Sequence, residues 1–113
     1  MKIICFDIDN VICKTKGNNY KNSKPDKVAI SIINKLYDRG YYIKIFTARY
    51  MGRFKGNLTK VKKKTKETKF YLNSWSVKYH ELIMGKPSYD LFIDDKNYGF
   101  KKDWYKNMKK YLK

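Results

Sequence analysis

Apolar and polar positions fall into two periods along the chain, one suited to strands and one to helices. Residues 2–7 (KIICFD) form a short apolar run that stops abruptly at an acid, the pattern of a buried parallel strand. Residues 10–24 are polar, contain Gly17-Asn18-Asn19, and predict a loop. From Pro25 the period becomes helical, with Val28, Ile32, Ile33, Leu36 and Tyr37 at three- and four-residue steps. Pro25 suits the first turn of that helix and Gly40 the position just past its end. A second apolar strand is predicted over Tyr41–Thr47, followed by a loop at 48–57 with two glycines. A helix is predicted within 60–74, a third strand over Glu81–Met84 and a fourth over Tyr89–Ile93. Trp104, Met108, Tyr111 and Leu112 then recur at i, i+4, i+7 and i+8, an amphipathic closing helix. This order of elements predicts one α/β domain over 1–113 with a mainly parallel sheet, without repeat or linker.

Composition narrows the class. A chain of 113 residues that is 42% hydrophobic can build one core but not two. It holds no run of the ~20 apolar residues needed to cross a bilayer. The N-terminal apolar run is too short for a signal peptide, so a cytoplasmic protein without membrane association is expected. Cys5 reads as a small buried hydrophobe and Cys13 as a loop residue with a free thiol. A disulfide between them is not expected in that setting. A tyrosine-phosphatase type of cysteine nucleophile needs an Arg six residues after Cys13, and position 19 is Asn.

The formal charge is +17, which invites a polyanionic partner. The basic residues are 24 Lys and only 3 Arg, and Asn, Tyr and Ile are abundant too. AT-rich coding writes that pattern as readily as selection does. In either case the field steers anions towards the protein.

The positions of the polar residues carry the chemistry. Asp7 and Asp9 close the first strand, Thr47 the second, Lys86 follows the third, and Asp94-Asp95 close the fourth. In open parallel sheets ligands bind at the carboxyl ends of the strands. Carboxylates crowded there repel one another unless a hard cation such as Mg2+ lies among them. A carboxylate clamped beside a lysine ammonium is a competent nucleophile towards phosphorus, and a second carboxyl nearby can move the proton.

These motifs resemble the haloacid dehalogenase (HAD) superfamily, in order and across nearly the whole chain. The matching residues are Phe6-Asp7-Ile8-Asp9, Ile45-Phe46-Thr47, Gly85-Lys86-Pro87 and Ile93-Asp94-Asp95. Thr47-Ala48-Arg49, Gly56-Asn57 and the Gly-Lys-Pro segment are most similar to the short capsule-biosynthesis phosphatases. The resemblance implies a HAD-like, Rossmannoid three-layer α/β sandwich with a mainly parallel central sheet and no cap domain. It implies Asp7 as nucleophile, Asp9 as general acid and base, and Thr47 and Lys86 as groups that hold the phosphoryl. It also implies Asp7, Asp9, Asp94 and Asp95 around Mg2+, and substrate contact by Thr47, Ala48, Arg49 and Lys86. The family's first motif usually continues Gly-Thr, where this chain has Asn10-Val11. Asn tolerates the unusual backbone angle, but the supporting hydroxyl is lost.

The expected activity is hydrolysis of a phosphomonoester on a small metabolite such as a sugar phosphate. Action on nucleotides or nucleic-acid ends, and a non-catalytic nucleic-acid binder on the same fold, are the alternatives. Specificity at an uncapped site is expected from loops 10–24 and 48–57, or from a neighbouring subunit of a homo-oligomer. His80, the only histidine, reads as structural or solvated, and the 60–69 lysine run as a solvated helix face or a polyanion grip. Gly85-Lys86 lacks the upstream glycine of a phosphate-cradling P-loop.

Overall fold

The computed structural model describes residues 2–113. Its centre is a parallel sheet of three strands in the order β1 (Ile3–Phe6), β4 (Tyr42–Thr47), β5 (Glu81–Met84). Alternation along β4 sends Ile43, Ile45 and Thr47 inward, all fully buried. Helix α1 (Lys27–Asp38) lays Ile30, Ile33 and Leu36 on that face, and Phe6 meets Trp104 there at 5.3 Å. Leu72 and Val77 join the same cluster. Asp26 caps α1 by accepting from the Ala29 amide at 3.1 Å. Gly40, at φ +95°, turns the chain out of the helix and back towards β4.

The other face of the sheet is uncovered. Ile3 and Cys5 are exposed and Lys44 and Phe46 only half-buried, so the expected third layer is not filled. Cys5 is therefore not the buried residue its apolar neighbours suggest, because alternation along β1 points it to the uncovered face while Phe6 points to the core. Cys13 is the buried thiol, and both cysteines are free.

The loop at 10–24 contains structure of its own. A two-stranded antiparallel ribbon pairs β2 (Cys13–Lys14) with β3 (Lys24–Pro25), and a 3-10 turn spans Tyr20–Asn22. Pro25 thus sits in the ribbon ahead of α1, and Val28 is exposed. The helix predicted in 60–74 is two, α2 (Leu58–Lys62) and α3 (Thr65–Ser74). The closing helix α4 (Trp104–Met108) tightens into a 3-10 turn over Lys109–Leu112. His80 is structural: its Nδ1 accepts from the Ile43 amide at 3.0 Å, and its ring stacks on Tyr37 and Tyr42.

The fourth strand is absent. Residues 85–100 run without strand or helix, with Leu91 77% and Ile93 86% exposed. β1 has a neighbour on one side only, and the segment predicted as a strand does not pair. Among the described residues no helix is long and apolar enough to cross a membrane.

Candidate active site

Three strand ends meet at the carboxyl edge of the sheet. Asp7 follows β1, Thr47 ends β4, and Lys86 lies two residues past β5. The Lys86 amide donates to the Thr47 carbonyl at 3.0 Å, which fixes the second and third of these ends side by side. Gly85 makes the turn that allows this. Its φ is +93°, and a Cβ there would stand 3.0 Å from a Leu58 methyl.

The Lys86 ammonium lies 3.4 Å from Asp7 Oδ2. That exceeds the ~2.7–2.9 Å of a tight charge-assisted bond, so the pair is loose. Asp7 Oδ1 accepts from the Ile8 amide at 2.7 Å. Burial pushes the Asp7 carboxyl above its ordinary range, and the nearby Lys86 charge only partly offsets this. Burial also opposes the Lys86 charge, but Tyr89 and Asp7 outweigh it, and its pKa stands above the usual lysine value. The rings of Phe92 and Tyr89 lie 5.2 and 5.3 Å from the ammonium.

Asp9 is held from several sides. Arg49 donates to it through Nη2 at 2.8 Å and Nε at 3.0 Å, and the Thr15 hydroxyl donates at 2.6 Å. Ser23 closes the network, 2.7 Å from Thr15 and 3.0 Å from Arg49 Nη2. Asn10 takes φ +65°, the left-handed conformation expected of the residue replacing glycine in the first motif. The hydroxyl missing at Val11 is supplied instead by Thr15, from the start of the loop beyond the ribbon strand.

Arg49, expected to contact substrate, is turned inward. Its side chain is fully buried against Asp9, with the Tyr20 ring 4.6 Å from the guanidinium carbon. Burial works against its charge, and the Asp9 carboxylate more than compensates. Nη1 alone has no partner. The next residue, Tyr50, is buried at φ +70°, an uncommon conformation for a bulky side chain. It is fastened by its hydroxyl, which donates to Glu67 at 2.6 Å. Thr47 Oγ1 accepts from the Arg49 amide at 3.0 Å, which leaves its own proton to donate. The Ala48 carbonyl takes up the Met51 amide at 3.0 Å, a turn contact.

Asp94 and Asp95 do not join this set. Both are exposed, and Asp94 accepts from the Lys96 amide at 3.1 Å in a local turn. That bond is the main reason its carboxyl lies below the ordinary range. Among the described residues no three His, Cys, Asp or Glu side chains gather as a metal group. Asp9 is already spent on Arg49 and Thr15. As placed, the residues do not make the four-carboxylate magnesium set that the sequence predicts, because the strand meant to carry two of them is not formed.

Thr15, Ser23 and Tyr20 were not legible as site residues. They lie in a polar loop with no motif, and only the fold of the ribbon brings them to Asp9 and Arg49.

The fold and its occupied strand ends define a mixed α/β protein with a parallel sheet and a polar site at its carboxyl edge. No family model matches the chain, and no curated protein matches it. Solved structures do. A structural-genomics target from Vibrio cholerae is similar at 24% identity and a TM-score of 0.79, covering 100% of both chains. A chain of the Pnkp1/Rnl/Hen1 RNA repair complex is similar at 15% identity and a TM-score of 0.51. That match covers 97% of this chain but only 31% of the other. Both likenesses are likenesses of fold.

Proposed function

We propose that the chain is a phosphomonoester hydrolase of the haloacid dehalogenase type, acting on a small phosphorylated metabolite such as a sugar phosphate. The observation that carries this reading is the pairing of half-buried Asp7 with the Lys86 ammonium at 3.4 Å, beside Thr47. Asp7 Oδ2 attacks phosphorus, forming a P–O bond as the ester P–O bond breaks. Once released from Arg49 and protonated from solvent, Asp9 gives that proton to the leaving oxygen. Asp9 then takes a proton from water, whose oxygen attacks the aspartyl-phosphate, freeing Asp7 and inorganic phosphate. Lys86 balances charge on the phosphoryl oxygens and the Thr47 hydroxyl donates to one of them. Asp9 must exchange an Arg49 or Thr15 contact to reach the reacting oxygens, so Arg49 acts as the residue that positions it.

Magnesium dependence belongs to the proposal and rests on the resemblance alone. A second reading, action on a nucleic-acid end, is favoured by a lysine-lined cavity beside Asp9. The fold it shares with a chain of an RNA repair complex is compatible with that reading.

The test is hydrolysis of an aryl phosphate with magnesium, with and without EDTA. Wild type is expected to turn over only with the metal, Asp7→Asn to fall to background, and Asp9→Asn to lose about 10²–10⁴-fold. No hydrolysis with any divalent ion ends the enzyme reading.

A further inference from the structure

The β2–β3 ribbon sets two lysines face to face. Lys14 pairs directly with Lys24 across the antiparallel ladder, and both are exposed. Like charges in opposed positions repel, and a ribbon of two residues a side has little pairing energy to set against that. Among the described residues neither lysine takes part in an ion pair. An anion lying between them would turn the repulsion into a grip.

The ribbon walls a cavity of about 1080 Å³, which Lys16, Lys102 and Tyr105 also line. Two carboxylates, Asp26 and Asp103, line it as well, against four lysines. Asp26 caps α1, and Asp103 pairs with Lys106 at 3.6 Å. The volume lies at the top of the roughly 300–1,000 Å³ of small-ligand pockets, and the lysines that line it are exposed, so a length of polymer can lie along it. Lysines, as point charges without a fixed fork, suit contacts to phosphates that ignore sequence. A half-buried aromatic ring among them suits an unstacked base.

We propose that this groove binds the backbone of a single-stranded nucleic acid, with phosphates against Lys14, Lys16, Lys24 and Lys102 and a base on Tyr105. Asn10 and Thr15 line it as well, and the Thr15 hydroxyl is bonded to Asp9, so a bound strand runs up to the candidate site. The binding does not depend on hydrolysis.

The test is fluorescence anisotropy of labelled RNA and DNA oligonucleotides, about 20 nucleotides long, over a salt series with the whole chain. Lys14→Gln/Lys24→Gln is compared with Lys66→Gln/Lys69→Gln, an equal charge change on exposed positions of α3. Binding of either oligonucleotide is expected to weaken at least ~10-fold in the groove variant, with the log–log salt slope smaller by roughly 1.4. The α3 variant is expected to change less than about twofold. The groove variant removes a repulsion, so its Tm should hold or rise, which separates lost binding from lost folding. Equal losses in both lysine pairs, no loss in the groove pair, or no binding by wild type would each overturn the proposal. Polyglutamate bound as tightly as an oligonucleotide would overturn the nucleic-acid assignment.

Discussion

At Asp9 a guanidinium and a hydroxyl converge on one carboxylate, and the guanidinium has no exit to solvent. Removing one partner of such a pair leaves the other unpaired, which costs more than the pair contributes. Arg49→Met is therefore expected to destabilise the fold by about 2–4 kcal/mol, below the full buried-pair range because Asp9 keeps some solvent contact. Urea unfolding checks this, and a loss under ~0.5 kcal/mol would show that the pair does not hold the loop. Asp7 makes a prediction in pH. Its carboxyl binds a proton more tightly folded than unfolded. Stability should therefore fall as pH rises from the ordinary carboxylate value of about 3.9 through the raised one. Asp7→Asn removes that slope, so its stability relative to wild type should be higher at neutral pH than near pH 4. An equal difference at both pH values would mean that Asp7 is not desolvated. Both residues were legible in the sequence because four motifs follow one another in order at expected strand ends, where a lone acidic pair would have been a weak signal. Of the partners of Asp9, Arg49 reads as a substrate contact and Thr15 is not legible, because a loop's fold has no period.

The elements divide by how much of each is set by local pattern. Helix α1 follows its periodicity, from the Asp26 cap to Gly40, except at Val28, which lies outside the buried stripe. Leu36→Ala, at a fully buried position, should cost about 2–5 kcal/mol. Val28→Ala, at a 55% exposed one, should stay within ~0.5 kcal/mol. Thermal unfolding of the two variants measures the difference, and similar Tm losses would misplace the helix face. The strands β1, β4 and β5 were equally legible as apolar runs ending in polar residues. Their order was not, since an apolar run does not say whether it lies in the middle of a sheet or at its edge. Nor does it say whether both faces of the sheet are covered, and that gap explains Cys5, which lies on the open face. The unread order explains Tyr89–Ile93, where the apolar pattern of a strand is present but no neighbour receives it.

For the molecule as a whole, the open edge of β1 and the exposed stretch 85–100 set the distribution of stability. Amides protected by a buried ladder exchange through near-global unfolding, whereas those with few backbone bonds exchange through small openings. β4 lies between two strands and carries fully buried Ile43 and Ile45, so its amides should exchange last. Among residues 88–100 the only backbone bond outside regular elements is from the Asn97 amide to the Asp94 carbonyl. Amides of Tyr89–Ile93 should therefore exchange with little protection, at least ~10²-fold faster than those of β4, by hydrogen exchange followed with NMR. The outcome bears on the chemistry as well as the fold. Protection of Tyr89–Ile93 comparable to that of β4 would mean that these residues pair in solution. β1 and β5 each have one free edge, and a parallel strand added beside β1 would bring Asp94 and Asp95 to the same carboxyl edge as Asp7. The magnesium set that is scattered in this structure would then be assembled. Fast exchange at Tyr89–Ile93 instead leaves Asp7, Lys86 and Thr47 at the carboxyl edge without the two carboxylates of residues 94 and 95.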